Sequence, residues 1–123
     1  MKYLDTNVIV RAITGDDQTL ATKALTEIQS GKRHEFCIVD AVLVEACFVL
    51  EFHDYAMKRE DIVAALEVLV NTPQVFVSGP TRQALQLYKQ YPKLDYVDCL
   101  LFVLGGKTGV MTPDNDLQTN LLK

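Results

Sequence analysis

The chain has 123 residues, 49% of them hydrophobic and 23% charged, which suits one domain with an ordinary core and excludes a disordered chain. A net charge of −4 with a pI near 5.0 weighs mildly against nucleic acid, whose binders carry a basic footprint. Two bound divalent cations would offset that whole surplus, so the overall charge decides little. The longest apolar runs, 41–50 and 97–104, are too short to span a bilayer and contain Glu45 or Asp98, so no membrane role is expected. The opening Met1-Lys2-Tyr3-Leu4-Asp5 has neither the apolar stretch nor the cleavage site of a signal peptide. Cys37, Cys47 and Cys99 are odd in number, widely spaced and embedded in apolar sequence, the pattern of buried thiols in a reducing, cytoplasmic setting.

Regular punctuation by Gly, Pro, Asn and Asp divides the chain into short apolar runs and longer helical patterns. A first strand is expected over 2–5, leading through Asp5-Thr6-Asn7 into a helix over 7–13. After Gly15, Asp16 or Asp17 can cap a helix over 17–29, with Leu20, Ala24, Leu25 and Ile28 spaced for one buried face. A strand over 35–39 precedes a helix over 41–53 that is apolar all round and therefore expected to be buried. The helix over 59–71 carries Ile62, Val63, Leu66, Leu69 and Val70, a face for core or for a partner. A strand over 74–78 leads to a helix over 80–90, whose Pro80 suits a first turn where the missing N–H costs nothing. A helix over 95–105 and a strand over 109–112 complete the pattern. Strands alternating with helices imply an α/β fold with a mostly parallel sheet, whose sites lie beyond the carboxyl ends of the strands.

Acidic residues mark that edge. Asp5 ends the first strand, where it is either a helix cap or a metal-ligand carboxylate oriented by Thr6 or Asn7. Glu45 lies inside the all-apolar helix with no basic residue at helical spacing, which favours a metal ligand over a salt bridge to a distant Lys or Arg. Asp95 reads as an N-cap, and Asp98 sits on the same face in the first turn, where the helix dipole favours negative charge. Asp114 and Asp116 follow the last expected strand in an ordinary turn sequence. If these acids converge, two charges about 4 Å apart repel by roughly 4 kcal/mol at an effective dielectric near 20. Such a cluster calls for a cation, and oxygen-only ligation fits Mg²⁺ or Mn²⁺. His34 and His53 lie at segment edges and receive no role.

The ordered blocks Leu4-Asp5-Thr6-Asn7-Val8-Ile9-Val10-Arg11, Val42-Leu43-Val44-Glu45, Leu94-Asp95-Tyr96-Val97-Asp98-Cys99 and Met111-Thr112-Pro113-Asp114 together resemble PIN-domain ribonucleases of the VapC toxin type, over nearly the whole chain. The resemblance implies a three-layer α/β/α fold, a single nuclease domain over 1–123, and a Mg²⁺- or Mn²⁺-dependent RNA endonuclease leaving a 5′-phosphate. By implication Asp5, Glu45, Asp98 and Asp114 hold the metal and Asp116 assists, with the choice between Asp114 and Asp116 left open. Thr6, Asn7, Asp95 and Thr112 would orient ligands or water. Apart from the resemblance, Arg11 near Asp5 and Lys93 near Asp98, with Lys89 and Lys107, are either contacts for RNA phosphates or solvated surface charge. A homodimer and a cognate antitoxin are the implied protein partners. Cys99 replaces the family's usual Ala, a change between small residues. The family commonly continues past the position of Lys123, so a short or absent last strand is expected.

Two other readings compete. An aspartyl-phosphate phosphatase also places an Asp after the first strand, but its usual second acid two residues on is here Asn7. A catalytically silent PIN-like binding module should have lost one of the acids, and every block keeps its own.

Overall fold

The computed structural model describes residues 1–53 and 55–113. The chain forms two compact units, one from Met1 to Val77 and a second beginning at Ser78.

The first unit is built on three parallel strands, β1 (Lys2–Tyr3), β2 (Phe36–Cys37) and β3 (Val75–Phe76), in the order β1-β2-β3. Lys2 is in register with Phe36 and Phe36 with Val75. The backbone ladder runs further than these short spans, because Leu4 N–H donates to Cys37 O at 3.0 Å and Ile38 N–H to Phe76 O at 3.2 Å. Helices α1 (Thr6–Thr14) and α2 (Gln18–Gln29) connect β1 to β2, and α3 (Asp40–Phe52) and α4 (Arg59–Val70) connect β2 to β3. Each crossover returns the chain to the same end of the sheet, the requirement for parallel pairing.

The sequence explains the helix boundaries. Asp17 caps α2 by accepting from Leu20 N–H at 3.1 Å, which resolves the choice between Asp16 and Asp17. Gly15 closes α1 at φ +67 and donates its N–H to Arg11 O, a left-handed turn that glycine adopts without the Cβ penalty. The apolar face of α4 is core: Ile62, Val63 and Leu66 are fully inaccessible, and Leu69 and Val70 nearly so. It is therefore not a partner surface. Ile9, Leu43, Ala46 and Leu50 join this core, with α1 packed on both α2 and α3 and α3 on α4. A half-buried ion pair links the end of α3 to the start of α4, where Arg59 Nη2 donates to Glu51 Oε1 at 3.1 Å and to Oε2 at 3.2 Å.

The second unit pairs α5 (Gly79–Gln90) with α6 (Tyr96–Gly105). Ser78 caps α5 and Pro80 occupies its first turn. Tyr88 and Tyr96, both buried, meet edge to face at 6.3 Å. Residues 109–112 form no strand, contrary to the pattern expected there. After Gly106 the chain turns tightly, and a Cβ on Gly109 would collide with the Gly105 carbonyl oxygen. The turn takes up 106–109, and 110–112 pair with no strand among the described residues.

Candidate functional site

In the first unit, Asp5 and Glu45 stand on the elements that leave the carboxyl edge of the sheet. Asp5 follows β1 directly and is the N-cap of α1: its Oδ1 accepts from Val8 N–H at 3.1 Å. Cap and ligand are compatible roles, since the carboxylate is exposed and Oδ2 has no partner among the described residues. Thr6 and Asn7 form the first turn of α1 beside it. Glu45 lies in the second turn of α3, which begins three residues after β2.

Glu45 is exposed, contrary to the expectation of burial. The buried residues of α3 are Leu43, Ala46, Cys47 and Leu50, a single stripe at helical spacing. The opposite face is also apolar yet lies open: Phe48 is 58% and Phe52 62% exposed. An all-apolar composition thus marks one packed face and one uncovered face, with Glu45 on the latter. Among the described residues Glu45 makes no hydrogen bond or ion pair, so the distant salt bridge weighed from sequence is absent there. Asp5 and Asp95 are likewise exposed, and Asp98 is only half-buried.

In the second unit, Asp95 and Asp98 form a reciprocal capping box at the start of α6. Asp98 N–H donates to Asp95 Oδ1 at 2.8 Å, and Asp95 N–H donates to Asp98 Oδ2 at 3.3 Å. The box holds Asp98 in one place with its carboxylate still partly open to solvent. Lys93 is exposed just before it, and Thr112 is half-buried in an irregular segment. Asp114 and Asp116 lie outside the described residues.

Among the described residues, no three His, Cys, Asp or Glu side chains stand close enough to hold a metal ion. The donor chemistry of Asp5, Glu45 and Asp98 is nonetheless uniformly carboxylate oxygen, which fits a hard cation such as Mg²⁺ or Mn²⁺ and not a thiolate- or imidazole-seeking metal. His34 is exposed and meets Phe76 edge-on at 5.4 Å, and the three buried cysteines form no disulfide. Burial pushes the Cys37 thiol above its ordinary value of 9.0, which keeps it chiefly in the thiol form at neutral pH.

Sequence reasoning missed Lys2, Tyr3 and Lys23. A pocket of about 270 Å³ beside Asp5 is lined by Lys2 and Tyr3, and an adjoining one of about 240 Å³ by Arg11 and Lys23. Nothing in the spacing of these residues announces a groove, because a lysine on a polar helix face ordinarily signals only solvation.

No helix among the described residues is long and apolar enough to cross a membrane. No curated protein and no solved structure matches the chain significantly. The family model described as PIN domain matches residues 2–119. PIN domains are nuclease-type domains that generally use divalent metal ions, in keeping with carboxylates at the edge of a parallel sheet. Because the match takes in β1, the Asp5 cap, Glu45 and the Asp95/Asp98 box alike, the chain belongs to the PIN-domain family.

Proposed function

We propose that the protein is a metal-dependent endoribonuclease in which the two units work as one domain over 1–123. The observation that carries this reading is Glu45: a solvated carboxylate with no protein partner among the described residues, on the helix that leaves the carboxyl edge of the sheet. Such a group has no structural task there, and it stands in the family's second motif block.

Asp5, Glu45, Asp98 and Asp114 are the proposed ligands of Mg²⁺ or Mn²⁺, with Asp116 as helper or as the alternative to Asp114. A divalent cation held by them would activate water and neutralise charge on the scissile phosphate. The Val8 N–H fixes one oxygen of Asp5 and leaves the other to bind, and Asp95 holds Asp98 through the capping box. Thr6, Asn7 and Thr112 orient the carboxylates or the attacking water. Arg11 and Lys93 meet phosphates of the RNA. The product is a 5′-phosphate from in-line attack of water, with no covalent protein intermediate. The setting is cytoplasmic and the biological role is that of a toxin, held in check by a cognate antitoxin and assembled as a homodimer. This part of the proposal rests on the family resemblance.

The test is to incubate protein purified free of partners with a structured RNA pool, in EDTA or with added Mg²⁺ or Mn²⁺. Cleavage should require metal and disappear in Asp5→Asn and Asp98→Asn. Equal cleavage by the variants would assign it to a contaminant. Absence of both cleavage and Mn²⁺ binding would favour the silent binding module.

A further inference from the structure

Helices α1 and α2 of the first unit form the walls of a continuous groove that starts at Asp5. The two pockets described above share Val8, Ala24 and Glu27, so they are successive stretches of one channel. Its floor is apolar, from Val8, Ala24 and the half-open Leu20. Its rim carries Arg11 from α1 and Lys23 from α2, both exposed. Glu27, the one acid lining the stretch beside them, is at the limit of ion-pair reach of Lys2, at 4.0 Å, while Lys2 also stands 3.8 Å from Glu35. Among the described residues neither Arg11 nor Lys23 has an anionic partner. Two cations without an ion-pair partner among the described residues therefore flank an apolar channel, with Glu27 where its two stretches meet. Arg11 stands about 9 Å further along the helix axis than Asp5. Where the channel meets β1, Tyr3 is 68% exposed.

We propose that this α1/α2 groove is a binding path for single-stranded RNA, with Arg11 and Lys23 holding phosphates and Tyr3 offering a face on which a base stacks. The inference rests on the nuclease reading for the identity of its ligand, and adds to it Lys23, Tyr3 and a direction for the strand. The pairing of backbone cations with an apolar floor and an exposed aromatic is the arrangement that binds single strands with little sequence preference. A duplex offers no unstacked base to Tyr3 or to the floor. The acidic whole-chain charge is no obstacle, because phosphate contacts depend on local cations.

The probe is a fluorescently labelled single-stranded RNA of mixed sequence, bound to the full chain in EDTA so that no cutting occurs, over a range of salt concentrations. For Arg11→Ala with Lys23→Ala, the Kd near physiological salt should rise roughly tenfold, and the slope of log K against log salt should flatten by about 1.4, near 0.7 per lost contact. The charge-preserving pair Arg11→Lys with Lys23→Arg should restore both. Tyr3→Ala should weaken binding roughly tenfold with the slope unchanged. Unchanged affinity and slope in the double alanine variant, or no salt-sensitive RNA binding by the wild type, would overturn the groove. Metal-dependent cleavage by the wild type is scored separately. Binding that follows these charges without any cleavage would keep the groove and remove the nuclease, whereas cleavage with a charge-indifferent Kd would do the reverse.

Discussion

Glu45 shows how one residue separates a structural from a chemical role. Its side chain is exposed and unpartnered among the described residues, so replacing it should cost the fold almost nothing. Glu45→Gln is expected to leave stability within about 0.5 kcal/mol of wild type, as surface substitutions do. It should lower metal-dependent cleavage by roughly a hundredfold or more. Thermal melting and a cleavage assay on the same sample check both parts. A second residue reports on the fold by its titration. Burial raises the Cys37 thiol above 9.0 in the folded chain, so above about pH 9 the unfolded chain ionises first and gains stability from doing so. Stability should be insensitive to this group below pH 9 and should fall as pH rises beyond it. Cys37→Ser should blunt that fall in denaturant titrations.

At the level of elements, the parts legible in the sequence were those with local causes. Asp5, Asp17, Ser78 with Pro80, and Asp95 each start a helix by satisfying or sparing free N–H groups, and residues within three or four positions suffice to read them. The positions of β1, β2 and β3 were likewise readable from short apolar runs between turn residues, although the assigned spans are shorter than expected. Burial was not readable. Residues Ala41 to Leu50 look the same on every side, and only the neighbours of α3 decide that Leu43 is covered and Phe48 is not. The strand expected over 109–112 is absent too, because alternation there says nothing about whether a neighbouring strand is present to pair with it. The Glu51–Arg59 pair joins two elements in the same way. With side chains only 18% and 11% exposed, it should be worth about 1–3 kcal/mol in Arg59→Ala. Adding Glu51→Gln to Arg59→Ala should cost less than the sum of the two single changes, the mark of directly coupled side chains. Urea titration of the single and double variants measures the difference.

For the molecule as a whole, the family assignment over residues 2–119 is that of a nuclease-type domain, and the proposal adds that this chain hydrolyses RNA phosphodiesters with a metal. A water activated at metal-bound carboxylates and a metal-free attack by the ribose 2′-hydroxyl leave different ends on the cut RNA. The most direct measurement is therefore the chemistry of the product ends, determined with Mg²⁺ or Mn²⁺ and again in EDTA. The nuclease proposed here should give 5′-phosphate and 3′-hydroxyl ends with metal and no product in EDTA, and Glu45→Gln should yield almost none. Cyclic phosphate ends, or cleavage that persists in EDTA, would contradict it.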